Sequence, residues 1–281
     1  VDADRKELNI AYAFDGVDIA KYGGYRLAEM KEVFSKWDSA FAYKGWLSIF
    51  LSNHDQARLV SRWGNDSPLF RNASTKLLNT FILSMRGTPY CYYVDELGMT
   101  NIDFTKIEQY KDIAAINGYK KAMNNGEDME MFMQKLNFES RDNGRTPMQW
   151  NTLPNSGFTS GKPWISVNDN YVDINVEKQK LDKNSVLNHF RTLAKLRKEN
   201  PILVYGAYEL IAADHHTIYA YTRTLGKDKV IVLLNFSTST NSIELPSQDV
   251  SKVNILINNM STLNIEGQKI NMLPYQAIII K

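Results

Sequence analysis

A chain of 281 residues, 43% hydrophobic and 23% charged, has the composition of an ordinary globular protein of one or two domains. Its formal net charge of +2 gives no electrostatic argument for nucleic acid or an acidic membrane surface, and no apolar run approaches the roughly 20 residues of a membrane span. Cys91 is the only cysteine, which excludes an intramolecular disulfide and argues against a cysteine-built zinc centre, without deciding the cellular compartment.

The opening VDADRKELN carries neither an initiator Met nor a basic-then-apolar leader, so the expectation is that something upstream was removed or that the chain is a portion of a longer one. LNIAYAF (8–14) predicts a strand, and Leu27, Met30, Val33, Phe34 and Trp37 recur at helical spacing after it. WLSIFLS (46–52) is nearly all apolar, the pattern of a strand buried on both faces of a parallel sheet, and ends in Asn53, His54 and Asp55. Leu77, Leu78, Phe81, Ile82 and Met85 then mark a helical face stopped by Gly87 and Pro89, and PYCYYV (89–94) predicts a third buried strand. This β-α-β-α-β order implies an α/β sheet with crossover helices.

Residues 95–183 break the rhythm: they predict a long insertion with helical pieces near 107–123 and 128–137, then a Gly-, Pro- and Asn-rich loop at 151–171. Met129, Met131 and Met133 are expected to pack. Val186, Leu187, Phe190, Leu193 and Ala194 resume a helix closed by Asn200-Pro201. From about 201 the period changes to two. TIYAYTRT, KVIVLLNFS, NSIELP, VNILIN and YQAIIIK predict an antiparallel β-sandwich, with His215 and His216 as solvated turn residues. The expected division is therefore 1–200, α/β with an insertion at 95–183, and 201–281, all-β. Three parallel strands cannot close a barrel, whose complete (β/α)8 form needs eight units and about 250 residues. The α/β part thus reads as the last portion of a barrel.

Polar groups just past the C-terminal end of a barrel strand face the active site. Asn53, His54 and Asp55 stand there: Asp55 can accept hydrogen bonds from two sugar hydroxyls and offset positive charge at an anomeric carbon, and His54 can donate to a third hydroxyl. On these residues alone a plainer reading stays open, with Asp55 capping the next helix and His54 a satisfied buried imidazole.

The longer strings carry more. FLSNHDQARLVSRWGND (50–66), RKELNIAYAF (5–14), GTPYCYYVDELGMTN (87–101), RDNGRTPMQW (141–150) and GFTSGKPWISVNDNY (157–171) occur in the order found in the α-amylase family. They most resemble its oligo-1,6-glucosidase and α-glucosidase branch. The resemblance covers essentially the whole chain. It implies strands six to eight of a (β/α)8 TIM barrel followed by the antiparallel β-sandwich, and an enzyme hydrolysing short α-linked glucosides with retention. It implies that Asp55 stabilises the oxocarbenium-like transition state, that His54 binds the same sugar ring, and that Arg141 and Arg145 bind substrate. A planar guanidinium suits paired hydroxyls and a buried carboxylate; for Arg145 a structural ion pair within the loop also stays open. Asp142 and Asn143 are expected to fix the loop. No metal and no cofactor is expected.

Two departures matter. Ala57 replaces the usual Pro after NHDQ, Tyr93-Val94 replaces Gln-Gly of the usual QGEE, and Asp95-Glu96 is expected to be structural. Retaining hydrolysis needs two carboxyl groups about 5–5.5 Å apart. By the resemblance, the nucleophile and acid/base follow strands four and five, so the expected partner is the missing N-terminal half of the barrel, and the chain alone is expected to be inactive. Isomerising or transferring relatives, of the sucrose isomerase or trehalose synthase type, and non-catalytic relatives are the alternatives.

Overall fold

The structure, a computed structural model, describes residues 4–12, 14–41, 44–245 and 253–281. A three-stranded parallel sheet runs in the order β1 (Ala11–Tyr12), β2 (Leu47–Ile49), β3 (Thr88–Pro89), with Ala11 opposite Leu47 and Ser48 opposite Thr88. Helices α1 (Asp15–Asp18) and α2 (Leu27–Phe41) connect β1 to β2; α3 (Leu59–Trp63) and α4 (Arg71–Ser84) connect β2 to β3. Gly87 has φ +120°, and a Cβ there would sit 2.3 Å from the Leu47 carbonyl oxygen, so glycine lets the chain enter β3 against β2.

The strands are shorter than the apolar runs predict. Of 8–14 only Ala11–Tyr12 pairs, Ala13 lying outside the described residues, and of 46–52 only Leu47–Ile49. The run 89–94 is mostly not a strand. After Tyr90 N–H donates to the Ile49 carbonyl the chain turns: Asp95 N–H reaches Tyr92 O, and buried Val94 takes the left-handed conformation at φ 71°. A β-branched residue there is strained. Burial against Leu97, Met99, Ile174, Val176 and Leu187 holds it, which is why the segment looks strand-like in sequence.

The insertion holds a 3₁₀ turn (Ile107–Gln109), α5 (Ile113–Asn124) and α6 (Met129–Glu139). The helix expected over 107–123 is thus broken at 110–112, where Asp112 caps α5 by accepting Ala114 N–H at 3.0 Å. Met133 packs as expected; Met131 does not, being 61% exposed. Then follow α7 (Val176–Leu181), α8 (Val186–Glu199) and α9 (Pro201–Tyr205), the last begun by Pro201 at a position where its missing N–H costs nothing.

Period-two strands begin at Ala207. A five-stranded antiparallel sheet has the order β4-β5-β6-β11-β8, formed by Ala207–Ile211, Ile218–Leu225, Asp228–Asn235, Ala277–Ile280 and Ile255–Asn258 respectively. A second sheet, β7-β10-β9, uses Asn241–Glu244, Lys269–Met272 and Asn264–Glu266; Pro246 of the predicted NSIELP strand lies outside the described residues. Alternation divides the large sheet's side chains. Ile218, Ala220, Ile231, Leu233, Ile278 and Ile280 face the small sheet, while Tyr219, Tyr221, Val230, Val232, Leu234 and Ile279 join the helical core with Leu77, Leu78 and Phe81.

Buried cations join these two layers. Arg223, fully buried, donates to the carbonyls of Ser84, Leu203 and Gly206; Arg197 donates to those of Leu83, Met85, Gly87 and Leu203. Both thereby cap the C-terminal carbonyls of α4, which a helix cannot satisfy itself and whose dipole attracts positive charge. Buried Lys31 of α2 donates to the carbonyls of Ala212, Ala213 and His215. His215 is not merely solvated: its Nδ1 accepts the N–H groups of Thr217 and Ile218, which fixes this turn. None of the described helices is long and apolar enough to cross a membrane.

Candidate active site

Beyond β2 the chain makes a tight turn in which Asn53 Oδ1 accepts Asp55 N–H at 2.8 Å, so the asparagine side chain sets the direction of Asp55. Trp63 anchors the far side through its indole N–H to Leu51 O at 2.8 Å. Buried Arg58 ties three segments together. Its guanidinium donates to Tyr93 O, Tyr93 Oη, Thr146 O and Thr146 Oγ1 and lies 4.6 Å from the Tyr93 ring centroid. Tyr93 Oη in turn donates to Thr146 O at 2.8 Å. Tyr93 thus braces the turn after β3 against the 141–146 segment.

That segment is a 3₁₀ turn, Arg141–Arg145, capped by Ser140 Oγ accepting Asp142 N–H. Asp142 and Asn143 are fully buried. Asp142 Oδ2 accepts the N–H groups of Lys111 at 2.6 Å and Asp112 at 2.9 Å, and Asn143 binds Ile102 N–H and Asn137 O. Gly144 lies flat against the 53–57 turn: a Cβ on it would fall 2.3 Å from Gln56 O. Only glycine permits that approach.

The two turns together focus charge on Asp55. Its Oδ1 accepts from Arg145 Nη2 at 3.0 Å and Arg141 Nη1 at 3.4 Å, and His54 Nε2 stands 3.2 Å from its Oδ2. Arg145 Nε also donates to His54 O at 3.0 Å. The four residues singled out in the sequence therefore meet at one place, and the Asp55 side chain stays 46% exposed, open to a ligand.

Asp112 completes the group and was not foreseen. Its carboxylate takes Arg141 Nε at 2.7 Å and Nη2 at 2.6 Å, a bidentate pair that leaves Nη1 pointing to Asp55. The Arg141 hydrogen bonds hold Asp112 below the usual carboxylate range, against the opposing effect of burial, and Asp112 holds the guanidinium above its ordinary value. An Asp before an apolar helix reads as a cap, which Asp112 also is; nothing in its spacing announces a second partner 29 residues away.

A third carboxyl is that of Asp95. Buried Asp95 accepts the Ser52 hydroxyl, one residue before Asn53, and Tyr92 N–H at 3.2 Å. Burial pushes it up to about 7, with the Ser52 hydrogen bond and Arg58 opposing and Glu96 adding. Among the described residues no group of three or more His, Cys, Asp or Glu is placed to hold a metal ion.

Chemically, Asp55 offers carboxylate oxygens fixed by cations at the end of a buried strand. Such a group binds hydroxyls and offsets developing positive charge. Asp112, the other carboxylate of the network, has both oxygens committed to Arg141.

The chain matches the family model for the alpha-amylase catalytic domain over residues 1–206 and that for the alpha-amylase SusG C-terminal domain over 218–279. It is 42% identical to an oligo-1,6-glucosidase of Bacillus cereus over 99% of this chain and 51% of the relative. An oligo-1,6-glucosidase of Parageobacillus thermoglucosidasius is 43% identical, with 100% and 51% covered. Among solved structures, Bacillus licheniformis trehalose-6-phosphate hydrolase superposes with TM-score 0.93 at 36% identity, covering 99% of this chain and 52% of that one. An isomaltulose synthase mutant from Erwinia rhapontici NX5 in complex with D-glucose also gives 0.93 at 36% identity, with 100% and 52% covered. These neighbours imply a TIM barrel with an added β domain. The chain spans about half the length of the curated relatives it matches.

Proposed function

We propose, for a chain that belongs to the α-amylase family, that it supplies the sugar-gripping side of a retaining α-glucosidase acting on short α-linked glucosides. The observation that carries this reading is the convergence of Arg141, Arg145 and His54 on an exposed Asp55 at the end of a buried parallel strand. In this reading β1, β2 and β3 are barrel strands six, seven and eight. Residues 1–200 are the end of the barrel, with its insertion at 95–183, and 201–281 the β-sandwich domain.

Asp55 binds adjacent hydroxyls of the glucose ring and stabilises the oxocarbenium-like transition state, gaining strength as charge develops at the anomeric carbon. His54 and Arg145 hold the ring and the aspartate together, and Arg141, steadied by Asp112, fixes the outer hydroxyls. Asp55 neither attacks nor transfers a proton. The nucleophile and acid/base belong to the part of the relatives' length that this chain does not span, and that half of the barrel is its partner. Glucoside substrates agree with the oligo-1,6-glucosidase relatives and the glucose-bound structural neighbour.

The test is Asp55→Asn in the full-length protein. The amide keeps shape but removes charge, and a fall in kcat of about 10²–10³-fold is expected, the scale for losing one preorganised electrostatic stabiliser. Unchanged kcat on nitrophenyl α-glucoside would refute the assignment. Products formed from sucrose and maltose separate hydrolysis from isomerisation: free glucose is expected, and an isomeric disaccharide would point to the isomerising relatives.

A further inference from the structure

The ladder between β2 and β3 ends where Tyr90 N–H donates to Ile49 O at 2.8 Å. Beyond it the two segments diverge: residues 50–52 run on to the Asn53 turn, while the chain after β3 folds back at Val94. A side-chain bond spans the gap. The Ser52 hydroxyl donates to Asp95 Oδ2, and both residues are buried, Asp95 to 3% exposure.

Asp95 is fixed along its whole length. Its N–H donates to Tyr92 O at 3.2 Å, its carbonyl accepts Asn79 Nδ2 of α4 and Gly98 N–H at 3.3 Å each, and its Oδ2 also accepts Tyr92 N–H at 3.2 Å. The residue before it, Val94, keeps a left-handed backbone at φ 71°, strained for a β-branched side chain. Strain retained in a packed core points to a geometric requirement, and this turn carries the Asp95 carboxyl to Ser52.

Stability alone does not call for that carboxyl. Taking it out of water is costly. Burial pushes Asp95 up to about 7, opposed first by the Ser52 hydrogen bond and then by Arg58. Arg58 acts through space, its own hydrogen bonds going to Tyr93 and Thr146. Closing the 92–95 turn needs only an acceptor for Tyr92 N–H. The bond to Ser52 is additional, and it ties that turn to the residue preceding Asn53, whose Oδ1 accepts Asp55 N–H at 2.8 Å.

We propose that Asp95 is a positioning residue for Asp55: through the Ser52 hydroxyl it holds the end of β2 where the Asn53 turn aims the Asp55 carboxylate at a bound sugar. This role rests on the function proposed for Asp55. Arg141 and Arg145 set the charge around the Asp55 carboxylate; Asp95 sets where its backbone stands. Because Oδ2 alone takes both hydrogen bonds, an asparagine Oδ1 can stand in for it, and threonine can stand in for Ser52. Alanine can replace neither.

The test uses the full-length protein and measures inhibition of nitrophenyl α-glucoside hydrolysis by 1-deoxynojirimycin, whose protonated ring nitrogen mimics charge at the anomeric carbon, beside inhibition by neutral glucose. Inhibition constants do not depend on the fraction of protein folded, so a loss of stability alone moves neither. Ser52→Ala should weaken the cationic inhibitor about tenfold, the scale of one lost hydrogen bond, and glucose by no more than about threefold. Asp95→Ala should do the same, and the two together should cost no more than the larger single change, because both break one link. Ser52→Thr and Asp95→Asn should stay within about twofold of the native protein, since each keeps the bond. Should Asp95→Ala not fold, Ser52→Ala, which deletes a single hydroxyl, still decides. Equal weakening of both inhibitors, no weakening, or fully additive losses would overturn the proposal. If Asp55→Asn leaves 1-deoxynojirimycin binding unchanged, the function proposed for Asp55 fails and this role with it. If Asp55→Asn weakens it and Ser52→Ala does not, the positioning role alone falls.

Discussion

Arg141 divides its guanidinium between two carboxylates, giving Nε and Nη2 to Asp112 at 2.7 and 2.6 Å and reaching Asp55 with Nη1 at 3.4 Å. In the proposed function the short pair is the anchor and the long contact the end that works with Asp55. Asp112→Asn should therefore damage the site without touching Asp55. Losing a charged hydrogen bond is worth about 1.5–3 kcal/mol, or ~10–100-fold in kcat/KM for glucosides. Because Arg141 would become mobile rather than absent, KM should carry most of the change. Equal falls in kcat and kcat/KM would show that Asp112 acts differently.

Gly144→Ala tests how closely two backbones must approach. The added Cβ would meet Gln56 O at 2.3 Å, so either the 53–57 turn or the 141–145 turn must move. Overpacking of this kind costs about 1–3 kcal/mol. Thermal unfolding should fall accordingly and glucoside turnover more steeply, since the displaced turns carry Asp55, Arg141 and Arg145. Gly161→Ala in the same insertion meets only Thr159 Oγ1 at 3.8 Å and should be neutral in both measurements.

These two residues mark where the sequence stops being readable. Asp55, His54, Arg141 and Arg145 could be picked out because they sit in motifs whose order is characteristic, although 86 residues separate Arg141 from Asp55. Asp112 and the need for glycine at 144 depend on which surfaces touch, information that local periodicity does not hold. Helices α2, α4 and α8 were legible because their apolar faces repeat. The 90–95 turn was not: Val94 is apolar and buried like a strand residue but has φ 71°. Arg197 and Arg223 look like surface charges in sequence. They are buried because α4 ends against the sheet and its carbonyls need donors.

Asp95 predicts a pH dependence of stability. Its folded value, about 7, lies above the 3.8 of an exposed group, so its stability contribution is present below about pH 4 and is lost as pH rises to 7. Three units at ~1.4 kcal/mol each give roughly 4 kcal/mol. Glu96 is shifted the same way by burial. His189, pushed by burial down to about 4 from 6.5, has the opposite sign: its contribution is lost as pH falls from 6.5 to 4. The two slopes partly cancel in the native protein. Urea melts of Asp95→Asn should show a gain over the native protein at pH 8 that shrinks towards pH 5. An equal change at both pH values would place a permanently ionised carboxylate there.

The last expectation concerns the 281 residues by themselves. Their parallel sheet has β1 and β3 as edges, each with an unpaired side, and one face carries Tyr12 52%, Phe14 57% and Tyr90 39% exposed. Tyr12 lies 5.4 Å from Tyr90 and 6.3 Å from Phe14, ring centre to ring centre, so the rings form one patch. Open parallel edges beside an apolar patch recruit other chains. Under the proposed function, which gives Asp55 charge stabilisation only and assigns the bond-breaking carboxyls to the N-terminal half of the barrel, the chain purified alone should self-associate in sedimentation and show no hydrolysis of nitrophenyl α-glucoside. On the same proposed reading, supplying that N-terminal half should restore a monodisperse species and turnover together. A lone monomer with turnover that Asp55→Asn abolishes would mean that the reacting carboxylates are already within these residues. Asp95 and Glu96 would then be the first to re-examine, because burial has already raised both.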